Sequence, residues 1–470
     1  VIPLSVRQLA SIAGAACDMV ADPAALVTGP VIIDSRLAVP GSLFAALPGT
    51  RADGHDFAAA AVAAGAVGAL ATRRVGVPAL IVPDVAAALA RLARAVVDRV
   101  PACTIAGITG SSGKTTTKDL AAQLIETAGP TVSPRNSYNN EIGLPLTVLR
   151  VTGQTRYLIT ELSARGPGHI ARLCEVAPPR LGVVLSVGHA HAGEFGSIDE
   201  VARAKAELPA ALPPDGVALL NADDPRVLAM AAGTAARVVT FGRDGAAAVR
   251  ADRVTLDEAG RARFTLVTAD GSAPVRLRLH GECNVGNALA AAALAGQLGM
   301  GVAAIAAGLS AAVPRSRWRM EFTERPDGVT VINDAYNANP EAMRAALGTL
   351  AVLARSRRAF AVLGHMTELG GQAREFHEQA GQLAAEAGLA GLIVVGDDAA
   401  PILAGARAQP SWHGELVGVP DAAAAVEALG RRLKHGDVVL VKASRAAGLE
   451  SVALALTGER PLNGAKEPPR

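Results

Sequence analysis

The sequence predicts an α/β protein of three domains, on three observations. Short runs rich in Val, Ile and Leu alternate with Ala-rich helical stretches along most of the chain, the pattern of parallel strands covered by helices. Apolar residues make up 50% of the composition but aromatics only 3%, so the cores are built from Ala, Val and Leu. At roughly 100–200 residues per domain, a chain of 470 residues holds two to four such cores. Breaks at Pro101 and at Pro314 set the expected domains at 1–101, 102–313 and 314–470.

In the first segment, strands are expected at 31–33, 43–47 and 79–82, with a helix at 84–97. The second opens with a strand at 104–108, a Gly/Ser loop and a helix at 114–128; buried parallel strands follow at 157–159 and 183–187, and Ser197 with Glu200 forms a capping box for a helix at 198–212. The third alternates strands at 329–332, 359–363, 392–395 and 438–441 with helices at 340–353, 372–387 and 422–433, a doubly wound reading. The tail after Leu462, rich in Gly, Lys and Pro, is expected to be disordered.

Several function classes fall away. Lys plus Arg number 45 against 43 Asp plus Glu, a formal charge of +2, with no block of like charge and few aromatics for stacking, so no nucleic-acid partner is expected. Cys17, Cys103, Cys174 and Cys283 are far apart and form no CxxC pair, which indicates neither a zinc site nor a disulfide framework and fits a reduced cytoplasm. Apolar runs are interrupted well short of ~18 residues and the first residues lack a signal-peptide layout. A soluble cytoplasmic protein without a membrane partner is expected.

The strongest local signal is Thr109-Gly110-Ser111-Ser112-Gly113-Lys114-Thr115-Thr116 between a strand and a helix. Glycines let backbone N–H groups turn around phosphate oxygens, Lys114 can reach the terminal phosphates, and the Thr115 hydroxyl can ligate magnesium. Ile108 stands where the generic P-loop has Gly; a structural Gly/Ser turn is the alternative. Glu161 ends one strand, and Gly188-His189-Ala190-His191 ends the next, so a carboxylate and an imidazole flank the loop at the carboxyl edge of a parallel sheet. Either could also be a solvated strand end. Lys205 is one of only six lysines. Its spacing with Val201, Leu208 and Leu212 puts it on the apolar face of its helix, either as a snorkelling side chain or as a neutral amine able to form a carbamate with CO₂. Asn284 and Asn287 begin an Ala-rich helix, as caps or as ligand contacts. Arg319, Asp334 and Tyr336-Asn337-Ala338-Asn339-Pro340 put a charge and amides at a strand-to-helix turn.

As a set, these motifs resemble the Mur ligase family, ATP-dependent amide-forming enzymes of peptidoglycan synthesis, along nearly the whole chain. Also carrying the resemblance are Asp34-Ser35-Arg36, Asp53-Gly54-His55, Asn139-Asn140-Glu141-Ile142-Gly143, Glu194-Phe195-Gly196-Ser197 and Val441-Lys442-Ala443-Ser444. The run Asp334 to Pro340 is the most discriminating and points to the type that adds D-alanyl-D-alanine to a UDP-N-acetylmuramoyl-tripeptide. The resemblance implies an N-terminal UDP-binding domain, a central P-loop ATPase domain with a parallel-rich sheet, and a C-terminal Rossmann-like domain that closes over the nucleotide. It implies ATP held by Gly110 to Thr116, Asn284, Asn287, Arg319, Asp334, Tyr336, Asn337 and Asn339. Two magnesium ions are implied, one on Thr115 and Glu161, the other on Glu161, His191 and carbamoylated Lys205. Lys114, Glu161, His191 and Lys205 become the catalytic set, Ser35 and Arg36 uridine-side contacts, and Asn139, Asn140 and Arg165 contacts to the sugar-peptide. A monomer is expected. The chain departs from the family pattern at Cys283 and His365, where His and an acidic residue are usual, and at His189, which has no assigned role. A sister ligase with another amine, or a nucleotide switch that hydrolyses ATP without ligation, are the rival readings.

Overall fold

A computed structural model describes residues 1–49, 52–190 and 192–459. Three larger sheets carry the architecture, with a two-stranded pairing of Leu4–Ser5 and Leu26–Val27 beside the first. That first sheet has five strands in the order Ala16–Asp18, Ala79–Ile81, Gly68–Ala71, Leu43–Ala45 and Val31–Ile32, parallel except for the pairing of its first two. The helix Val85–Asp98 starts where Asp84 accepts from the Ala87 N–H at 3.0 Å.

The central sheet has nine strands, and Thr104–Thr109, the third from one edge, is flanked in parallel by Tyr157–Glu161 and Leu181–Val184. These strands are buried almost throughout, as expected of parallel strands covered on both faces. The following strands are added on opposite sides of Thr104–Thr109, Tyr157–Glu161 on one and Leu181–Val184 on the other, so the carboxyl ends of the three parallel strands open onto one crevice. The Ala-rich helix Asn284–Gln297 is buried on every face from Ala288 to Ala295, Ala288 and Ala290 at 0% exposure, and it packs on the helix Lys114–Glu126. At the far edge, Val249–Leu256, Arg261–Thr268 and Gly271–His280 form an antiparallel extension. In Arg261–Thr268 the charged residues point outward and Ala262, Phe264 and Leu266 inward, a period-2 pattern.

The third sheet has six strands in the order Glu321–Glu324, Thr330–Asn333, Val438–Lys442, Ala359–Leu363, Gly391–Val395 and Glu415–Val419, parallel but for the first. Apolar clusters cover both faces, one including Met343, Leu347 and Leu350, the other Leu429, Leu449 and Val452. The α/β class and doubly wound third segment are therefore as read from the sequence. The strand expected at 183–187 stops at Val184, because Leu185 to Ala190 leaves the sheet to run over the phosphate loop, with Ser111 N–H donating to Ser186 O at 2.9 Å. The expected tail disorder concerns residues outside the described ones. Among the described residues no helix is long and apolar enough to cross a membrane, and all four cysteines are free.

Candidate active site

The loop between Thr104–Thr109 and Lys114–Glu126 depends on two glycines. Gly110 has φ +155° and Gly113 φ +84°, and a Cβ on Gly113 would overlap Asn287 Oδ1. Lys114 Nζ donates to Gly110 O at 2.5 Å, which keeps the ammonium inside the loop. Burial pushes its pKa down, Glu161 opposes that shift and Arg319 adds to it.

Around it the polar groups converge. Thr115 Oγ1 lies 3.3 Å from Glu161 Oε1 and 2.8 Å from Ser137 Oγ, and Asn139 Nδ2 donates to Glu161 Oε1 at 2.7 Å. Glu161 is 1% exposed, yet its Oε2 has no hydrogen-bond partner among the described residues. A stripped carboxylate oxygen is costly unless something positive reaches it. With the Thr115 hydroxyl alongside, this donor set fits a hard divalent cation such as magnesium. Lys205 is 5% exposed in the helix Ile198–Ala210, beside the buried Val201, Leu208 and Leu212, as its spacing predicts. Burial pushes its ammonium down to about 7, with the charge of Lys114 acting in the same direction, and no carboxylate pairs with it among the described residues. At 5% exposure the side chain does not reach water, which counts against the snorkelling alternative. His191 lies outside the described residues.

Residues of the third segment close the crevice. Arg319 donates to Ser137 Oγ at 2.9 Å and to Thr115 Oγ1 at 3.2 Å, and its guanidinium stands 4.0 Å over the Tyr336 ring. Asp334 Oδ2 accepts from Lys442 Nζ at 2.5 Å, and Oδ1 from Met320 N–H at 3.0 Å. Lys442 also donates to Asn337 O at 3.0 Å, so one buried lysine braces the whole turn. Asn339 caps the helix Pro340–Ala354 by accepting from Ala342 N–H at 2.8 Å, and its Nδ2 donates to Ser112 Oγ at 3.3 Å. The helix start is thereby joined to the phosphate loop.

One cavity of about 570 Å³ results, lined by Ser111 to Thr116, Asn139, Asn140, Glu161, Arg165, Asn284, Asn287, Arg319, Asp334, Tyr336, Asn337 and Asn339. Asn287 Nδ2 donates to Asn284 Oδ1 at 2.9 Å, and Asn284 Nδ2 to His280 O at 2.8 Å, which fixes both amides at the cavity wall. Arg165 reaches toward Glu194 and Glu368, at 3.8 and 3.6 Å. Ser35 and Arg36 are not in this wall; they lie in the short 3-10 turn Ser35–Leu37, where Arg36 makes two bonds of 2.8 and 2.6 Å to Asp34. Sequence reasoning gave no role to Ser137, Lys442, His189 or Glu341. Lys442 carried a signal as one of few lysines, Ser137 carried none, and the last two meet only through tertiary structure.

Comparisons with known proteins agree with this picture. Residues 108–295 match the Mur ligase middle domain, 318–445 the domain described as Mur ligase, glutamate ligase domain, and 30–97 the Mur ligase family, catalytic domain. A Mycobacterium tuberculosis protein named UDP-N-acetylmuramoyl-tripeptide–D-alanyl-D-alanine ligase is 50% identical, covering 97% of this chain and 98% of its own. The crystal structure of MurF from Acinetobacter baumannii superposes with a TM-score of 0.85 at 31% identity, covering 97% of this chain and 99% of that one. MurF ligase from Thermotoga maritima in complex with ADP gives 0.78 at 30% identity, over 92% and 98%.

Proposed function

The chain belongs to the Mur ligase family, and from that membership and its site we infer the reaction. It is an ATP-dependent ligase that joins D-alanyl-D-alanine to UDP-N-acetylmuramoyl-tripeptide, forming the pentapeptide precursor of peptidoglycan. The observation that carries the chemistry is the buried Glu161 Oε2, without a partner among the described residues, beside Thr115 and Lys114.

The family uses ATP and magnesium. Magnesium, when bound, neutralises phosphate charge and polarises the transferring group; Thr115 and Glu161 would hold one ion, and Glu161, His191 and Lys205 as its CO₂-derived carbamate a second. The residues of the chain do the rest. Gly110 to Thr116 wrap the phosphates, and Lys114 supports charge on the γ-phosphoryl group as the tripeptide carboxylate attacks phosphorus and ADP leaves. The acyl phosphate then takes the dipeptide amine at its carbonyl carbon; the amine loses a proton and phosphate departs. Asn284, Asn287, Arg319 and the turn Asp334 to Asn339 enclose the nucleotide, and the joined walls keep water from the acyl phosphate. Asn139, Asn140 and Arg165 contact the sugar-peptide, and Ser35 and Arg36 the uridine end. Domains at 1–101, 102–313 and 314–470, a cytoplasmic location and a monomeric state go with this reading.

The test is phosphate release from ATP with UDP-N-acetylmuramoyl-tripeptide, with and without D-alanyl-D-alanine, followed by mass analysis of the product. Release that requires both substrates and yields the pentapeptide supports the ligase. ATP turnover indifferent to both returns the chain to the nucleotide-switch reading.

A further inference from the structure

His189 and Glu341 have no part in the reaction as described, yet they meet where the two walls of the cavity join. Glu341 stands in the first turn of the helix Pro340–Ala354, and His189 follows the strand Leu181–Val184. Glu341 Oε1 accepts from the His189 backbone N–H at 2.9 Å and lies 2.8 Å from its Nδ1. Phe376 packs on the imidazole with ring centroids 4.8 Å apart. A Cβ on Gly188 would stand 2.6 Å from the Glu341 carboxyl carbon, so the carboxylate reaches this position only over a glycine.

The other oxygen, Glu341 Oε2, is buried at the atom without a hydrogen-bond partner among the described residues, on a side chain that is 39% exposed overall, and Glu341 lines the same cavity as Ser112, Lys114 and Glu161. An unpaired carboxylate oxygen facing the cavity would repel a polyphosphate and attract a cation. Its place therefore suits a cationic group. On the ligase reading, the reactant that must bring an ammonium toward the acyl phosphate is the dipeptide.

We propose that Glu341 Oε2 receives the ammonium of the incoming dipeptide, and that His189 is the positioning residue that holds the carboxylate in the cavity. The assignment rests on the ligase reading and concerns binding and orientation; it adds no proton transfer. Because Glu341 arrives on the C-terminal wall, the ammonium site exists only when the two walls are joined. Amine capture is thereby tied to closure, after which the acyl phosphate is shielded from water.

The experiment measures KM for all three substrates in the full-length chain, and compares D-alanyl-D-alanine with hydroxylamine, a nucleophile uncharged at neutral pH, as captors of the acyl phosphate. A charge-assisted hydrogen bond of the usual strength predicts that Glu341→Gln raises the dipeptide KM about ten- to a hundredfold. The ratio of dipeptide product to hydroxamate should fall in proportion, while KM for ATP and for the UDP-tripeptide stays within about twofold. His189→Ala should move the dipeptide KM the same way by less, and His189→Asn, whose amide sits near the lost Nδ1, should restore most of it. An unchanged dipeptide KM in Glu341→Gln overturns the proposal. So does a rise in all three KM values with an unchanged product ratio, which would make the pair a plain contact between the walls, or a rise confined to the UDP-tripeptide. If the wild-type chain turns over ATP without regard to the dipeptide, the ligase reading itself fails and takes this assignment with it.

Discussion

The two walls of the cavity handle most of their charge differently. On the central wall, charges are left short of partners among the described residues: Glu161 keeps a bare Oε2, Lys205 has no carboxylate, and burial lowers both Lys114 and Lys205. On the C-terminal wall the Lys442–Asp334 pair is matched internally and Asn339 caps its own helix, while Glu341 Oε2 and Arg319 Nε have no hydrogen-bond partner among the described residues. The contrast separates groups waiting for ligands from groups that hold a shape. Asp334, which the sequence reading gave to ATP, lines the cavity, but its carboxylate is spent on Lys442 and Met320. Its contribution is to fix the turn that carries Asn337 and Asn339.

If the contrast is right, the largest losses come from the central wall. Lys205→Ala should lower phosphate release by about 10²–10³-fold, the range for removing one preorganised charge-stabilising group. If the lysine works as a carbamate, acetate or formate should restore part of the rate. A variant near wild-type activity would demote Lys205 to a buried structural lysine. Glu161→Gln keeps the volume and one acceptor but removes the charge, and should cost about 10²-fold with a shift to higher magnesium requirement. A magnesium titration of the variant checks this, and an unshifted titration would break the assignment of the bare Oε2 to a cation.

The C-terminal wall should fail differently. Lys442→Met leaves the Asp334 carboxylate nearly buried and unpaired, which costs about 3–5 kcal/mol of folding stability; the side chains are 2% and 12% exposed in the present pair. Urea unfolding measures the loss, and activity at low temperature should survive in the folded fraction with KM for ATP raised. Lys442→Met together with Asp334→Leu should recover most of the stability, because both buried charges are gone. If the single variant were as stable as wild type but inactive, Lys442 would belong with the central wall.

Much of this was legible in the residues, and the limits have physical causes. The phosphate loop, Glu161 and Lys205 could be found because strand, turn and helix chemistry lie within one short stretch, and because a lysine on an apolar helix face is conspicuous. The doubly wound third sheet followed from period and length. The Lys442–Asp334 pair spans 108 residues, and Arg319 reaches Ser137 across 182; no local spacing encodes such meetings. The antiparallel extension from Val249 to His280 did carry a signal, since Arg261, Arg263, Arg276 and Arg278 alternate with Ala262, Phe264, Val275 and Leu277, but arginine at that density reads as a solvated loop until the pattern is counted. His189 was visible only as a departure from its family, and its partner Glu341 lies 152 residues away.

The smallest expected effect is a pH response, and each wall supplies one histidine to it. His377, 1% exposed, accepts from Met366 N–H through Nε2 at 2.9 Å and donates from Nδ1 to Ala373 O at 2.6 Å, an arrangement that fits the neutral ring. Burial lowers its pKa below the ordinary 6.5, the Ala373 carbonyl opposes that, His365 adds to it and Asp398 opposes it. His280, stacked on Phe322 with centroids 3.5 Å apart, is likewise lowered, again chiefly by burial. Below pH 6.5 the unfolded chain takes up protons that the folded chain refuses, so the stability these rings contribute is complete above that pH and drains away as pH falls toward the folded values. Urea midpoints measured downward from pH 7 should therefore decline, and His377→Gln, which keeps an acceptor and a donor, should flatten part of the slope and leave the share due to His280. An unaltered slope in that variant would mean that the closing wall stays insensitive to acid even at its buried histidine, and would extend the contrast between the walls from ligand charge to proton uptake.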